Sequence, residues 1–182
     1  MSTGQTIITM GALILLSSML INFYSNLAQN GTTLSISEAG ISQISLSSSY
    51  FERAQELSFD EATRDSFLSV ADSSKLTAPA SLGSETVRPW PDDSVTEVQN
   101  NVTTYDDFDD FNNNEINDTT LASSLGTFHT SFKVYYVKPE SINVRVNYRT
   151  FTKRLDMKIW RTYPPGTDTL RSSKIYGYFH FN

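Results

Sequence analysis

The sequence predicts an α+β protein in which a long N-terminal hydrophobic helix precedes a small headgroup. Two observations support this class. The first 37 residues carry no charged side chain, since Glu38 is the first acidic or basic residue of the 182-residue chain. The last third alternates apolar and polar residues between short turns, as antiparallel strands with one buried face do. A length of this order suits one domain with an N-terminal extension.

The apolar run extends from Ile7 to Tyr24. In a helix it covers roughly 27 Å, close to the hydrocarbon thickness of a bilayer. We interpret residues 5–30 as a helix that first lies in a membrane and then packs against copies of itself. The alternative is a signal peptide, but the run lacks a basic start and a clear cleavage site. The residues expected in the core of such an assembly are Ile7, Ile8, Met10, Gly11, Leu13, Ile14, Leu15, Leu16, Leu20 and Ile21.

The Asn30-Gly31 pair predicts a helix break, because this dipeptide marks turns and Gly disfavours helix. A second helical segment is predicted over residues 34–64. Ser35 and Glu38 have the spacing of a capping box at its start. Apolar residues then recur every three or four positions to about residue 57. The predicted cover for the buried face of the sheet is therefore this second segment, the C-terminal half of the helical region.

Residues 65–126 lose periodicity and are predicted to form an acidic, irregular loop region. Residues 52–126 contain sixteen acidic and four basic side chains, whereas residues 127–182 contain three acidic and ten basic ones. Opposite potentials orient association. We therefore expect the two regions to face each other, within one subunit or between neighbours. The basic residues expected at inter-subunit contacts are Arg145, Arg149, Arg154 and Lys158.

The alternating pattern over residues 127–182 predicts a basic, antiparallel β-meander of four strands. Ile142, Val144, Val146 and Tyr148 alternate with polar residues, as do Leu155, Met157 and Ile159. Short turns at 138–141 and 163–166 separate the runs. The apolar residues are expected on one buried face and the basic residues mostly on the other. Such aromatic and basic strands can bind single-stranded DNA, but a sheet surface or subunit contact is favoured, and no nucleic-acid partner is expected.

The densest cluster of hard oxygen ligands is a candidate Ca²⁺ site formed by Asp106, Asp107, Asp109, Asp110 and Asn112. Its spacing is not that of an EF-hand, because Glu115 and Leu121 occupy the positions of the loop Gly and the final Glu. The favoured alternative is a solvated acidic loop that pairs with the basic meander. No other cofactor is expected. The chain has no Cys and no motif of a known catalytic site, so we expect no enzyme.

Three stretches carry a resemblance to a known family. Gly4-Gln5 before the apolar run looks like the cleavage site of a very short leader, residues 1–4. Residues 50–63 look like the helix end of bacterial minor-pilin-like proteins, and residues 106–112 look like the Asp-rich run before their strands. The chain thus resembles the type IV pilin-like proteins. The resemblance implies cleavage between Gly4 and Gln5, a long helix, a β-headgroup, membrane storage and assembly into a helical filament.

The function that follows is that of a structural subunit of a type IV pilus-like extracellular filament. Its expected partners are copies of itself and the pilus assembly machinery. It is expected in the cytoplasmic membrane before assembly and at the cell surface afterwards. Two alternatives stay open: a minor pilin or pseudopilin of a pilus or type II secretion machine, and a membrane-anchored surface binding domain that does not polymerise.

Overall fold

The structure is a computed structural model, and it describes residues 3–64, 66–84, 98–119 and 126–179. The chain divides into two compact units, Met1–Ala39 and Gly40–Asn182. The first unit consists of the N-terminal part of helix α1. The second, called the headgroup below, contains the rest of that helix and the β-sheet. A long apolar helix followed by an antiparallel sheet confirms the predicted α+β class.

Helix α1 runs without interruption over Thr3–Glu56. The predicted break at Asn30-Gly31 and the predicted N-cap at Ser35 are therefore wrong. A single Gly costs about 1 kcal/mol relative to Ala, whereas a break would lose several backbone bonds and require a second costly nucleus. Hydroxyls also bond the preceding turn: Thr32 and Thr33 donate to the Gln29 carbonyl oxygen at 2.8 and 3.0 Å. A short helix α2, Glu61–Arg64, follows as a separate turn.

The sheet of the headgroup has five strands, one more than predicted. They are β1 (Glu115–Asp118), β2 (Thr127–Lys138), β3 (Ser141–Arg145), β4 (Thr152–Tyr163) and β5 (Thr169–Gly177). All pairings are antiparallel, in the order β1-β2-β4-β5, and β3 pairs with the end of β2. The four strands of the predicted meander correspond to β2, β3, β4 and β5. The strand that the sequence did not reveal, β1, lies inside the region interpreted as loop.

One face of β2 and β4 is buried, and its residues follow the predicted alternation. Phe132 lies opposite Met157 and Val134 opposite Leu155 in register, and all four side chains are at most 4% exposed. Within the headgroup, residues 40–56 of α1 cover this face. The rings of Tyr50 and Phe132 meet edge to face at 5.1 Å. The predicted packing of the sheet on the C-terminal half of the helix is thus confirmed.

The alternation predicted for residues 142–148 does not give a buried face. Strand β3 ends at Arg145, and Ile142, Val144 and Tyr148 are 45–54% exposed. Because β3 pairs only with the end of β2, the helix does not provide a cover there. Val146 alone of the four packs against buried residues of the core.

The described parts of the predicted loop region are ordered and packed. Three 3₁₀ turns, Val70–Lys75, Val102–Thr104 and Asp109–Phe111, punctuate it. Leu68, Leu76 and Leu82 join Phe59 and Tyr136 in a buried cluster. Residues 66–84 and 98–119 thus form an ordered and largely irregular segment, and its apolar residues complete the core.

Candidate functional site

The residues expected in a filament core lie on α1 in the first unit. Their large side chains are exposed, from 49% at Leu20 to 72% at Ile8. Leu13, Ile14, Leu15 and Leu16 are consecutive, and at 3.6 residues per turn they cover the whole circumference of the helix. A helix that is apolar all round is expected in lipid or among other apolar helices rather than in water.

The same helix is long and apolar enough to cross a membrane. An 18-residue window within it has a mean hydropathy of 1.9 and is 0% buried. Gly4 and Gln5 lie at its start and are exposed. At Gly11 an added Cβ would meet nothing within 4 Å, so no contact in the described chain requires Gly there. Leader cleavage and the filament-core assignment stay predictions.

The headgroup contains a second, unforeseen feature, a fully buried lysine. Lys153 is the first residue of the buried face of β4, and its side chain is 0% exposed. Its Nζ donates hydrogen bonds to the Phe59 carbonyl oxygen at 2.7 Å, to Asp60 Oδ2 at 2.8 Å and to Asp109 Oδ1. A buried ammonium needs such partners, since desolvation of an unpaired charge costs several kcal/mol. The sequence contains one signal of this burial: Lys153 lies two residues before Leu155, so both side chains point to the same face of the strand.

Asp60 is the hub of this cluster. Besides Lys153, its carboxylate accepts bonds from the Thr77 amide at 3.0 and 3.1 Å, the Thr77 hydroxyl at 3.1 Å and the Ala62 amide at 3.2 Å. The Tyr136 hydroxyl lies 3.1 Å from Asp60 Oδ2. Burial and the Asp60 charge raise the pKa of Tyr136, so its phenol stays protonated. One carboxylate therefore ties together the end of α1, the segment after α2 and strands β2 and β4.

The Asp-rich run is buried rather than solvated, so this part of the alternative favoured from the sequence is wrong. Its other part, pairing with the basic meander, is met by the contact between Asp109 and Lys153. Asp107, Asp109 and Asp110 are at most 1% exposed. Their carboxylates bind the local backbone: Asp110 Oδ2 accepts from the amides of Asp106 and Asp107 at 2.9 and 3.0 Å. Asp107 Oδ1 accepts from the amides of Asp109 and Asp110 at 2.7 and 3.2 Å. The carboxylates of this turn thus cap its own backbone amides, whereas the buried carboxylate of Asp109 accepts a hydrogen bond from Lys153 Nζ.

Negative charge exceeds positive charge in this interior. Burial, followed by repulsion from Asp109, raises the pKa of Asp107 well above its usual range. Burial also raises the pKa of Asp109, although Lys153 opposes the shift. For Lys153 burial lowers the pKa, but the carboxylates of Asp109, Asp60 and Asp107 outweigh it, and the net shift is upward.

The five candidate Ca²⁺ ligands do not act as one set. Asn112 uses its amide within the fold, donating to the Leu82 carbonyl oxygen at 2.8 Å and accepting from the Val134 amide at 3.0 Å. Among the described residues, the group of three carboxylates whose oxygens all lie within 4.8 Å of one another consists of Glu61, Asp106 and Asp107. Arg64 Nη1 already lies 2.9 Å from Asp106 Oδ2. Ca²⁺ binding stays a prediction, now centred on Asp106 and Asp107.

The predicted basic surface exists, but its members differ. Arg145 and Lys158 are exposed on the outer face of the sheet, and the Arg145 guanidinium lies 5.3 Å from the centre of the Tyr135 ring. Arg154 pairs with Asp156 at 2.7 Å and also donates to Asn143 and Ser173. Arg149 donates to the Leu76 carbonyl oxygen at 2.5 Å. Arg145 and Lys158 are therefore the two best placed to meet a neighbour.

Comparison of the chain with known protein families, with characterised proteins and with solved structures gave no match. Fold, exposure and chemistry therefore carry the functional argument.

Replacing Asp107 by Asn will change how headgroup stability depends on pH. A carboxyl whose folded pKa is raised binds its proton more tightly in the folded state, so its contribution is greatest below the unfolded pKa of about 3.9 and declines as pH rises. Wild-type free energy of unfolding should thus fall above pH 4 more steeply than that of Asp107→Asn. Urea denaturation of residues 40–182 between pH 4 and 8 measures both. Parallel curves for the two proteins would contradict the prediction.

Proposed function

We propose that this protein is a structural subunit of a type IV pilus-like extracellular filament and that it polymerises through its N-terminal helix. The observation that carries the proposal is an exposed, uncharged helix segment that is apolar on all sides and precedes a folded headgroup in the chain. Before assembly the segment lies in the cytoplasmic membrane. Afterwards it is buried among the same segments of neighbouring subunits at the centre of a filament on the cell surface.

The magnitudes favour burial of this helix. Full burial of one Leu or Ile side chain contributes about 1.5–3 kcal/mol, so the nine large side chains of the expected core contribute roughly 13–27 kcal/mol in gross terms. Association costs an estimated 4–15 kcal/mol in lost freedom. In lipid the apolar gain is already made, and close packing at positions such as Gly11 and Ser17 then favours helix association. Pilus assembly machinery is the expected means of extracting the subunit from the membrane.

The outer face of the sheet supplies the proposed lateral contacts. An exposed ion pair contributes only about 0–1 kcal/mol, but such a contact repeats at every subunit of a filament. Salt screens these contacts over about 10 Å at 0.1 M. Arg145 and Lys158 are the side chains assigned to this role.

Electron microscopy of the purified full-length protein after detergent removal tests the proposal. We expect long filaments of uniform diameter, and fewer, more salt-sensitive filaments from Arg145→Glu plus Lys158→Glu. The control is Lys75→Glu plus Lys138→Glu, which changes the net charge equally at exposed lysines elsewhere in the headgroup. Membrane-bound or micellar monomers without filaments would refute a self-assembling subunit and favour a minor pilin or an anchored binding domain. Equal filament yields from both double variants would refute the lateral contact alone.

A further inference from the structure

The contact between Lys153 and Asp109 is sealed from water. The two side chains are 0% and 1% exposed, and Nζ touches Asp109 Oδ1. Aromatic rings enclose the amine: Nζ lies 4.6 Å from the centre of the Phe59 ring and 5.4 Å from that of Tyr136. The ring of Phe108, in the Asp-rich turn, is fully buried. An amine and a carboxyl group are thus in contact at a buried site, with a second carboxylate, Asp60, on the same nitrogen.

We propose that Lys153 and Asp109 condense in the folded headgroup to form an intramolecular isopeptide bond, with Asp60 as the acid–base group. The product is an amide between Nζ and the side-chain carbonyl carbon of Asp109. It joins strand β4 to the Asp-rich turn across 44 residues of sequence. The chain has no cysteine, so this amide supplies the covalent tie that a disulfide supplies in other extracellular proteins.

The reaction balances without any co-reactant. Asp60 accepts one proton from the Nζ ammonium, and the free electron pair of nitrogen attacks the carboxyl carbon of Asp109. The new carbon–nitrogen bond forms as the bond from that carbon to Oδ2 breaks. Asp60 returns its proton to the departing oxygen, which takes a second proton from nitrogen and leaves as water. Ammonium and carboxylate therefore give one amide and one water molecule, with no net charge change.

The geometry of the site favours this step. Productive pairs of reacting atoms lie about 3–3.5 Å apart, and a carboxyl oxygen in contact with Nζ holds its carbon at that order of distance. Positioning of this kind is equivalent to effective concentrations of about 10⁵–10⁸ M. The Asp60 carboxylate lies 2.8 Å from Nζ, within reach of the proton it must take.

Asp109, rather than Asp60, is the partner because of its second oxygen. Asp109 Oδ2 is buried and has no hydrogen-bond partner among the described residues, so its departure breaks no bond. Both oxygens of Asp60 accept bonds from other groups, including the Thr77 amide and hydroxyl. An amide at Asp60 would forfeit part of that set. The cluster thus offers one carboxyl for reaction and one for acid–base work.

Intact-mass spectrometry of the full-length protein, purified in detergent and then denatured, tests the inference. We expect a mass lower than the sequence mass by one water molecule, and a digest containing one branched peptide that joins Lys153 to Asp109. Lys153→Met should show no such loss. Lys133→Met, the same substitution at an exposed position of the neighbouring strand β2, should keep it.

A wild-type mass equal to the sequence mass would overturn the inference, and this result needs no variant to fold. Water loss that persists in Lys153→Met would overturn it too, because the modification would then lie elsewhere. Asp60→Asn, checked for folding by near-ultraviolet circular dichroism, should show the full mass. If that folded variant loses water as quickly as wild type, Asp60 is not the acid–base group. None of these outcomes depends on whether the protein forms filaments.

Discussion

A chain carrying Leu15→Arg and Leu16→Arg will lose stable membrane association. The two side chains are 68% and 57% exposed near the middle of the uncharged segment. An Arg at the centre of a spanning helix costs about 2.5–3.5 kcal/mol on insertion scales, so the pair costs roughly 5–7 kcal/mol. Since 1.4 kcal/mol corresponds to a factor of ten in an equilibrium, the fraction remaining in an alkali-washed membrane pellet should fall by orders of magnitude.

The matched control is Ile41→Arg plus Ile44→Arg on the same helix. These two side chains are equally exposed, at 69% and 62%, but they lie in the headgroup unit, beyond the apolar window. Their replacement should leave membrane association unchanged. If the Leu15 and Leu16 variant remains in the washed pellet as wild type does, the helix segment is not the anchor. Loss of association in both variants would show that any added charge on α1 acts nonspecifically.

The same pair of variants separates two roles of the helix. If α1 acts as anchor and filament core, the Leu15 and Leu16 variant should also yield no filaments, because two guanidinium groups would be buried without partners among apolar helices. The headgroup should keep its fold, since residues 40–182 have their own core. Circular dichroism of the β-sheet checks this.

Local pattern was enough to predict the class of fold. The alternation of Leu155, Met157 and Ile159 gave the buried face of β4, and the uncharged opening gave the long helix. Helix propensity wrongly predicted a break at Gly31, because the cost of one Gly is smaller than the cost of interrupting the helix. Propensity also failed at β1, whose four residues, Glu115–Asp118, are polar apart from Ile116. Pairing with β2, a tertiary effect, makes them a strand.

The buried charge cluster of Lys153, Asp60 and Asp109 could not be predicted from the sequence, for a different reason. Charged residues are almost never fully buried unless paired, so the sequence predicts a solvated Asp-rich run and basic residues mostly on the outer face of the sheet. Their charges do attract, as the sequence predicted, but inside one headgroup. Asp60 lies 93 residues from its partner Lys153, and no spacing rule connects them. The position of Lys153, two residues before Leu155 and so on the same face of β4, is the sequence feature that indicates a basic side chain in the core.

Replacing Asp60 by Ala will destabilise the headgroup more than any surface substitution. The change removes the acceptor of the Thr77 and Ala62 amides and of the Lys153 nitrogen, and it leaves these donors in the interior with fewer partners. Each buried donor left without an acceptor costs about 1–3 kcal/mol. Whole domains are stable by only about 5–15 kcal/mol, so the variant should lie near the limit of folding. Urea denaturation of residues 40–182 measures the difference.

Asp168→Ala is the control, because Asp168 is exposed and the bond that it accepts from Gln43 goes to its backbone oxygen, which the substitution keeps. That variant should stay within about 0.5 kcal/mol of wild type. Asp60→Asn should lie between the two: its side-chain oxygen still accepts a backbone bond, but the charge opposite Lys153 is lost. If Asp60→Ala unfolds at the same urea concentration as Asp168→Ala, the carboxylate does not hold α1, β2 and β4 together. An ordered series of Ala, Asn and wild type would instead show a graded contribution, because Asn removes the charge and one acceptor oxygen but keeps the other.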